Sequence, residues 1–560
     1  MYLKKTDMKY FSINAKATIK DAMKIIEKGE ERICFVVNKK NKILASISDG
    51  DIRRAIISGS KLNEKVLNIQ KRKPIVCNQT DPYEDLIKKF SKRVNVIPIV
   101  NSKGELLSVL RKNDILPFLN IKSKKIVVVG LGYVGLTLAM VLSESGFNVT
   151  GYDTNKNLVR KIKKKIPPFY EKGMKDYLDS QIGHNCKIVD NLSNLSADVY
   201  ILTVGTPFDK KKNKPDLSNL QKSIKNISKL LKKNDLIILR STVPIGCTRN
   251  TVAKYIEKNT KLKFGEDIFL AFCPERTIEG QALQELKRLP QIIGGYCKKS
   301  SELSQRLFNE YTYTVIDVES LEAAEFCKLV DNTYRDTIFG YSNQLALLSE
   351  KLKLDFNKII DKANIGYERN RIPKPSPGVG GACLTKDPYI LLSSFKSNSL
   401  NGNIILSARK TNEKMVDEIF IKSQKILKKM GKNLSKSKIF VSGFAFKGHP
   451  ETSDYRFSTT LDLLNKLKKK GVKNISGHDF KLTNDDFKSI GVKNTSLDNG
   501  FLKSDVVFIM NNHLKYSDLN ILKLINKMNK PALFFDSWQL FEPDEIKNIP
   551  GIYYTSVGRP

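Results

Sequence analysis

The 560-residue sequence has few of the groups that build metal centres and disulfide frameworks. It contains only 4 histidines, which are scattered, and none of its 8 cysteines forms a pair with the C-x-x-C spacing of structural zinc sites. We therefore expect neither a metal site nor a disulfide scaffold. Unpaired cysteines of this kind are typical of a protein in a reducing cytoplasm.

Long apolar runs are also missing. The longest run, residues 126–142, is shorter than the ~20 residues that span a bilayer, and the opening MYLKKTDMKYF lacks the apolar stretch of a secretory signal. We expect no membrane segment. With 41% hydrophobic and 28% charged residues the chain has the composition of a folded globular protein, and its length suggests about three to four domains.

Acidic residues are scarce relative to basic ones, with 58 Asp+Glu against 96 Lys+Arg and a net charge of +38. Such an excess can indicate nucleic acid, an anionic membrane or phosphate-bearing ligands. The lysine runs at 161–165, 210–214 and 466–470 lie in different regions, however, and no aromatic-interleaved basic motif accompanies them. We interpret the charge as a solvated, Lys-rich surface and predict no nucleic-acid partner, while a small anionic ligand stays compatible.

An internal repeat occupies the first 120 residues. ICFVVNKKNKILASISDGDI (33–52) aligns without a gap with VIPIVNSKGELLSVLRKNDI (96–115), an offset of 63 residues from 33 to 96. Each unit has the pattern of a helix, a strand, a polar turn, a second strand and a second helix. Two half-domains that pack on each other are therefore predicted.

A glycine motif, GLGYVG, follows a buried-type strand at 126–129 and leads into a helix and a second strand that ends at Asp153. Strand, motif, helix, strand and acid together predict a dinucleotide-binding Rossmann unit, whereas the alternative is a glycine-rich turn without a ligand. The helix N-terminus would face the pyrophosphate, and Asp153 would accept from the ribose hydroxyls and repel a 2'-phosphate, so NAD is favoured over NADP. The motif residues assigned to the cofactor are Gly130, Gly132, Tyr133, Val134 and Gly135.

Three further apolar runs, DVYILTVGTP, DLIILRSTVPIG and DIFLAFCPER, each stop at polar or Pro/Gly residues. The carboxyl ends of parallel strands meet at one ligand crevice. Thr206, Thr242 and Glu275 lie at these ends, and we therefore expect them on the cofactor face.

Residues 319–370 change to helical periodicity. Lys328, Asn332 and Arg335 recur at i, i+4 and i+7, on one helix face, and their neighbours are largely apolar. A solvated face is the usual meaning of such spacing, but here the polar row is expected to face something polar. Cys383 follows in PSPGVGGACLTKDPY (375–389), where the ordinary interpretation is a small buried hydrophobe.

A second strand–turn–helix unit begins at KIFVSGFAFKG (438–448), and DVVFIM (505–510) and ALFFDSW (532–538) add strands of the same buried type. These segments predict a second nucleotide-binding-like α/β domain.

From about 123 to 558 the chain resembles the nucleotide-sugar dehydrogenases of the UDP-glucose/GDP-mannose 6-dehydrogenase superfamily. It has GLGYVG, GTP, STVP, CPER, KLVDN, GVGGACLTKD and AFKG with SDYR in the family's order. The N-terminal repeat resembles a pair of CBS modules. The resemblance implies an α/β fold with four parts: a CBS pair (1–120), an NAD-binding Rossmann domain (123–317), a central helical dimerisation region with the cysteine loop (318–433) and a Rossmann-like UDP-sugar-binding domain (434–560).

The resemblance also implies a reaction. Such enzymes oxidise the C6 alcohol of a UDP-sugar to the uronic acid in two hydride transfers to NAD. Cys383 matches the nucleophile, which would form a thiohemiacetal and then a thioester that water hydrolyses. The alternatives are a UDP-glucose 6-dehydrogenase and a nucleotide-sensing homologue without turnover.

The auxiliary roles come from the same resemblance. Lys328 would stabilise the oxyanion, Asn332 would hold that oxygen or its water, and Asp387 would orient the hydrolytic water. Glu275 would act as general base or position that water, and Thr242 would lie beside both cofactor and reacting carbon.

The implied substrate contacts extend this set. Arg456 often reaches across from a neighbouring subunit in this family, which implies a homodimer or a higher homo-oligomer. PERTIEG (274–280) and VDNTYRD (330–336) are similar to the branch that acts on UDP-N-acetylglucosamine or UDP-N-acetylmannosamine. The residues implied to bind the UDP-sugar are Glu275, Lys328, Asn332, Arg335, Gly380, Lys447 and Arg456.

In CBS modules a Ser/Thr-x-x-Asp segment holds a ribose. Ser48 and Asp51 match it, whereas in the second copy Arg111 replaces the Ser/Thr and Asp114 remains. The resemblance therefore implies one regulatory nucleotide site, and the alternative is a packing or dimerising module without a ligand.

Overall fold

A computed structural model describes residues 10–29, 31–69, 73–78, 81, 89–91, 94–111, 121–193, 195–209, 214–369, 371–395 and 402–560. The chain divides into two compact units, residues 1–123 and 124–560. Asp114 lies outside the described residues.

The first unit confirms the repeat in its strand register. Ile33 pairs with Ser48, and 63 positions later Val96 pairs with Arg111, with a register shift at the equivalent step of both hairpins. Two helices, Ile19–Gly29 and Asp49–Ile57, accompany the first sheet. The two three-stranded sheets consist of Ser12–Asn14, Ile33–Val37 and Ile43–Ser48, and of Cys77–Asn78, Val96–Val100 and Leu106–Arg111.

The second unit begins with an eight-stranded sheet that is parallel except for one antiparallel pair, Phe269–Phe272 with Gln291–Gly295. The chain starts in the middle, at Lys125–Val129, and builds outward on both sides, which places the ligand crevice at that point. The spatial order of the strands is Val315–Asp317, Gln291–Gly295, Phe269–Phe272, Leu236–Leu239, Val199–Leu202, Lys125–Val129, Asn148–Tyr152 and Cys186–Val189. The α-helices of this part are Tyr133–Glu144, Lys156–Lys163, Met174–Gln181, Ser218–Ser228, Lys254–Asn259, Ala282–Arg288 and Lys298–Asn309, and Thr248–Ala253 is π-helical.

A second, six-stranded sheet is parallel throughout and repeats the same arrangement, with Ile439–Ser442 as its starting strand. Its spatial order is Lys493–Asn494, Ile475–His478, Ile439–Ser442, Val506–Ile509, Ala532–Asp536 and Ile552–Ser556. Its helices are Thr459–Lys469, Asn484–Ile490, Leu497–Phe501, Leu514–Ser517, Ile521–Ile525 and Pro543–Ile546.

Two long helices lie between the sheets in the chain: the central helix, Leu321–Lys351, and the second central helix, Asn403–Lys429. They approach closely because Gly340 has no side chain; a Cβ there would lie 2.7 Å from Ala408. Shorter helices span Phe356–Ala363 and Asp387–Ser393.

This architecture confirms the predicted α/β fold class, with a CBS-like pair, two Rossmann-like domains and a helical region between them. Among the described residues, no helix is both long and apolar enough to cross a membrane.

Candidate active site

The first Rossmann turn is built by its glycines. Gly130 has a φ of +96°, and a Cβ on Gly135 would lie 1.8 Å from the Gly130 carbonyl oxygen. Gly132 heads the helix Tyr133–Glu144, and a Cβ there would meet nothing within 4 Å. The backbone N–H groups at this helix N-terminus are therefore open to a pyrophosphate, and Val134 lies half-buried in the same first turn.

Asp153 follows the second strand and is anchored to this turn. Its Oδ2 accepts from the Leu131 N–H at 2.8 Å and its Oδ1 accepts from the Asn155 N–H at 2.8 Å. A carboxylate held in this way fits the ribose of NAD. Thr206 also fits, because its buried hydroxyl has no hydrogen-bond partner among the described residues.

Tyr133 differs from the other motif residues, because its side chain is committed to protein contacts. Its hydroxyl donates to Glu171 and accepts from the Gly280 N–H at 2.9 Å. Burial, together with Glu171, raises the pKa of the Tyr133 phenol. The tyrosine thus links the first turn of the helix to residues 278–280, and its hydroxyl is committed to these protein contacts.

The central helix brings two predicted residues, Lys328 and Asn332, to one cleft. Lys328 Nζ donates to the main-chain oxygen of Glu275, and Asn332 Nδ2 donates to Asp387 Oδ2 at 2.6 Å. Lys386 Nζ donates to Asp387 Oδ1 at 2.7 Å. Asp387 is fully buried, so both carboxylate oxygens are fixed in position by charged or amide donors.

Cys383 lies on a loop, residues 375–386, whose glycines permit close packing. Gly381 has a φ of +89°, and a Cβ on it would lie 2.7 Å from the Phe446 ring. A Cβ on Gly380 would lie 2.7 Å from the Phe457 carbonyl oxygen. The loop is therefore seated against residues 446–457 of the second Rossmann-like domain, with the Cys383 side chain open to solvent.

The thiol of Cys383 is accessible on one side and surrounded by protein on the others. This partial loss of water, with the Asp387 carboxylate, raises the pKa of the Cys383 thiol. The ammonium groups of Lys328 and Lys386 oppose the rise only in part. The thiol is therefore largely protonated at neutral pH, and its use as a nucleophile requires a nearby proton acceptor.

Glu275 is held in a buried ion pair. Arg240 donates to its Oε2 from Nη2 at 2.5 Å and from Nε at 3.1 Å, and the N–H groups of Arg276 and Thr277 donate to its Oε1, each at 2.8 Å. Burial disfavours the charged form, but Arg240 and these donors outweigh it and lower the pKa of Glu275. A carboxylate held in this way suits electrostatic and positioning roles better than proton uptake.

Glu279 is a candidate that the sequence analysis did not select. Thr452 Oγ1 donates to its carboxylate at 3.1 Å, and Lys447 Nζ donates to its main-chain oxygen at 2.7 Å. Burial and the Asp454 charge raise the pKa of Glu279 to about 7, and its charge also acts on Cys383. Glu279 can therefore exchange a proton at neutral pH beside the thiol. The available signal was its place in PERTIEG, four residues after Glu275.

The remaining predicted cations lie near Glu279. Burial lowers the pKa of Lys447 to about 8, with Arg335 adding to the effect, so these two positive groups are neighbours. Arg456 pairs with Asp454, Nη2 to Oδ2 at 2.6 Å, and its charge acts on Glu279 and Cys383 of the same chain. Three cations thus converge on a cleft that can receive an anionic ligand.

Thr242 lies at the end of the strand Leu236–Leu239, half-buried, on the same edge of the sheet as Thr206.

In the first unit, Ser48 caps the helix Asp49–Ile57, and its hydroxyl donates to Asp51 Oδ2 at 2.6 Å.

Asp51 Oδ1 also pairs with Arg54 at 2.6 Å. Both residues of the expected nucleotide site therefore already have local partners, and the same Ser-x-x-Asp pattern forms a helix-capping box.

Comparison with known sequences identifies the domains. Residues 124–312 match the NAD binding domain of the UDP-glucose/GDP-mannose dehydrogenase family, 322–414 match its central domain and 440–543 match its UDP binding domain. Residues 6–58 and 66–120 each match a CBS domain. These matches confirm the expected family, the CBS pair and NAD as the cofactor.

Individual relatives cover most of the chain. The UDP-N-acetyl-D-mannosamine dehydrogenase of Pyrococcus horikoshii is 30% identical over 440 residues, which are 78% of this chain and 99% of that protein. The Campylobacter jejuni enzyme of the same name is 32% identical over 72% of this chain and 98% of its own length.

Solved structures agree with the sequence relatives. The P. horikoshii UDP-D-ManNAc dehydrogenase superposes with a TM-score of 0.70 at 28% identity, covering 78% of this chain and 99% of that one. The Staphylococcus aureus UDP-N-acetyl-mannosamine dehydrogenase Cap5O gives 0.67 at 26% identity, covering 78% and 98%. With all three family domains present in order, the chain belongs to the UDP-glucose/GDP-mannose dehydrogenase family and is an NAD-dependent nucleotide-sugar dehydrogenase with a CBS pair ahead of its catalytic domains.

Proposed function

We propose that the chain oxidises the C6 hydroxyl of UDP-N-acetyl-D-mannosamine to the carboxylate through a covalent intermediate on Cys383. The observation that carries the proposal is the convergence of an accessible thiol with Lys328 and the Asn332–Asp387 pair in one cleft. The PERTIEG and VDNTYRD segments support a UDP-N-acetylhexosamine, and the names of the relatives support the manno configuration within that class.

Two NAD molecules, bound one after the other at the first Rossmann turn, would each accept one hydride, one for each oxidation. In the first, the C6 hydroxyl loses a proton and the C6–H bond breaks to give the aldehyde. The Lys328 ammonium, fixed by the Glu275 carbonyl, can stabilise the developing alkoxide. Glu279, with a pKa of about 7, can take up the proton directly or through a water molecule.

In the second half, Glu279 first returns its proton to solvent. The Cys383 sulfur then bonds to C6 as the thiol proton passes to Glu279, and the C6 carbonyl oxygen becomes an oxyanion beside Lys328. The resulting thiohemiacetal is oxidised to a thioester as the remaining C6–H bond breaks. Water then attacks the thioester, releases the carboxylate and returns the thiol. Asp387, held by Asn332 and Lys386, would orient that water, and the Glu275 carboxylate, held by Arg240, would help to position it.

The substrate diphosphate needs positive charge. Arg335, Lys447 and Arg456 provide it at one side of the cleft, and the lowered pKa of Lys447 is expected to rise when an anion binds there.

A panel of UDP-sugars with NAD tests this proposal. We expect UDP-N-acetylmannosamine to give the highest kcat/KM, with UDP-N-acetylglucosamine and UDP-glucose well below it. A preference for UDP-glucose would refute the substrate assignment. The absence of NADH formation with every sugar would favour a nucleotide-sensing protein without turnover.

We also propose that a second copy of the chain covers one face of the central helix. The exposed apolar side chains on this helix recur at intervals of 4 and 7 residues, a spacing typical of a helix–helix seam. They are Phe326, Val330, Tyr334, Tyr341 and Leu348, followed by Leu352 at the C-cap of the helix.

A further inference from the structure

Arg409, on the second central helix, is a buried cation that the proposed chemistry does not use. It is 1% exposed and is among the largest fully buried side chains of the described chain. Burial of an ionised group carries a penalty of several kcal/mol unless partners compensate it. The contacts of this arginine therefore indicate what it does.

The guanidinium spans the segment that carries the nucleophile. Its Nη2 donates to the Val379 carbonyl oxygen at 3.2 Å, and its Nη1 donates to the Leu384 carbonyl oxygen at 3.3 Å. These two carbonyls bracket Cys383. Because the guanidinium is planar and rigid, one group fixes the distance between both ends of the segment.

The same Nη1 donates to Asp336 Oδ1 at 2.6 Å. Asp336 lies one helical turn after Asn332 on the central helix, so Arg409 ties the cysteine segment to the helix that also carries Lys328. Asn412 strengthens this link by donating to Asp336 Oδ1 at 2.9 Å and to its main-chain oxygen at 2.8 Å.

The network continues to the start of the loop. Asn343 donates to Asn412 Oδ1 at 2.8 Å and accepts from the Ser376 N–H at 2.8 Å. All of these groups are buried. Both the beginning and the end of the loop are thus held by polar side chains of the two central helices.

We infer that Arg409, oriented by Asp336, is a positioning residue that holds Cys383 at a fixed distance and orientation relative to Lys328 and Asn332. This inference rests on the proposed function. Arg409 differs from a simple stabilising ion pair, because two of the three hydrogen bonds that its guanidinium makes among the described residues go to loop carbonyls and not to a carboxylate.

The test replaces Arg409 by lysine, which keeps the charge but cannot bridge two carbonyls and Asp336 in one plane. We expect kcat to fall about 100-fold, because an ~1 Å misplacement of a reacting group has an effect of this size. The KM for NAD should stay within about twofold of the parental value. The rate of Cys383 alkylation by iodoacetamide, located by peptide mass, should change at least about fivefold for the same reason.

A matched control is Lys432→Met, which breaks a partly buried ion pair with Asp505 in the second Rossmann-like domain. It should lower the melting temperature and leave kcat and the alkylation rate unchanged. If Arg409→Lys behaves like this control, with a lower melting temperature but parental kcat and alkylation, the inference is overturned.

If Arg409→Lys does not fold, Asp336→Asn provides the test instead. This substitution keeps the shape of the residue 336 side chain but removes the negative charge that orients the Arg409 guanidinium. A parental kcat and a parental alkylation rate in Asp336→Asn would overturn the inference. Failure of both variants to fold would also overturn it, because it would indicate a purely structural role for Arg409. The alkylation readout needs no substrate. A parent chain inactive on every UDP-sugar would therefore refute the proposed function while leaving this inference to be judged separately.

Discussion

Replacing Glu279 by glutamine should raise the stability of the folded chain at pH 8 and lower its turnover. Burial and Asp454 raise the pKa of this carboxyl from 4.5 to about 7. A group with a pKa raised on folding favours the folded state below its unfolded pKa, and this contribution is lost as the pH rises through the folded pKa. At pH 8 the ionised Glu279 therefore destabilises the folded chain, by about 3 kcal/mol at 1.36 kcal/mol for each pKa unit.

Glutamine keeps the size of the side chain and an oxygen that can accept from Thr452, but it carries no charge. We expect Glu279→Gln to unfold at a higher denaturant concentration than the parent at pH 8, and the difference should shrink toward pH 5. Chemical unfolding followed at both pH values measures this. An equally stabilising effect of Glu266→Gln, at an exposed site of the same domain, would show that the effect is not specific.

The same variant should lose its pH dependence of turnover. If Glu279 accepts a proton with a pKa of about 7, kcat/KM of the parent should rise about tenfold from pH 6 to pH 8, because the ionised fraction rises from about a tenth to about nine tenths. Glu279→Gln should show a low rate without this rise. A variant that retains the parental profile would refute the assignment of Glu279 as the proton acceptor.

Three other predictions follow from the site and the central helix. Lys328→Met should lower kcat by about 100-fold to 1,000-fold with little change in the KM for NAD, because it removes the oxyanion donor. Steady-state kinetics measures both constants, and a change confined to KM would contradict the prediction. Since the pKa of the Cys383 thiol is raised, its alkylation by iodoacetamide should accelerate beyond pH 9, and Lys328→Met should slow it further at a fixed pH; a plateau below pH 8 would be the contrary result. Tyr334→Asp should shift the chain to a smaller species in light scattering, because the exposed tyrosine lies on the seam proposed for a second copy; an unchanged mass would count against that seam.

The architecture of this protein could be predicted because its signals are local. The GLGYVG turn, the strands that precede Thr206 and Thr242, and the helical row from Lys328 to Arg335 all follow from short-range backbone preferences and periodicity. The repeat could be predicted equally well, because the offset of 63 residues follows from an ungapped alignment of the sequence with itself, and it recurs in the strand register.

The parts that could not be predicted depend on contacts between distant segments. Glu279 acquires its raised pKa from burial in the folded chain and from Asp454, 175 residues later, and Glu275 is fixed by Arg240, 35 residues earlier. Arg409 lies 26 residues after Cys383 on a helix whose polar positions resemble any solvated face. Ser48 and Asp51 illustrate a different limit, because one short pattern serves both a ribose site and a helix cap.

The central claim is a four-electron oxidation through Cys383, and the number of NADH molecules formed per sugar tests it most directly. With limiting UDP-N-acetylmannosamine and excess NAD, we predict two NADH for each sugar consumed and the uronic acid as the only product. One NADH per sugar with release of the aldehyde, or full conversion to the acid by Cys383→Ala, would contradict the account.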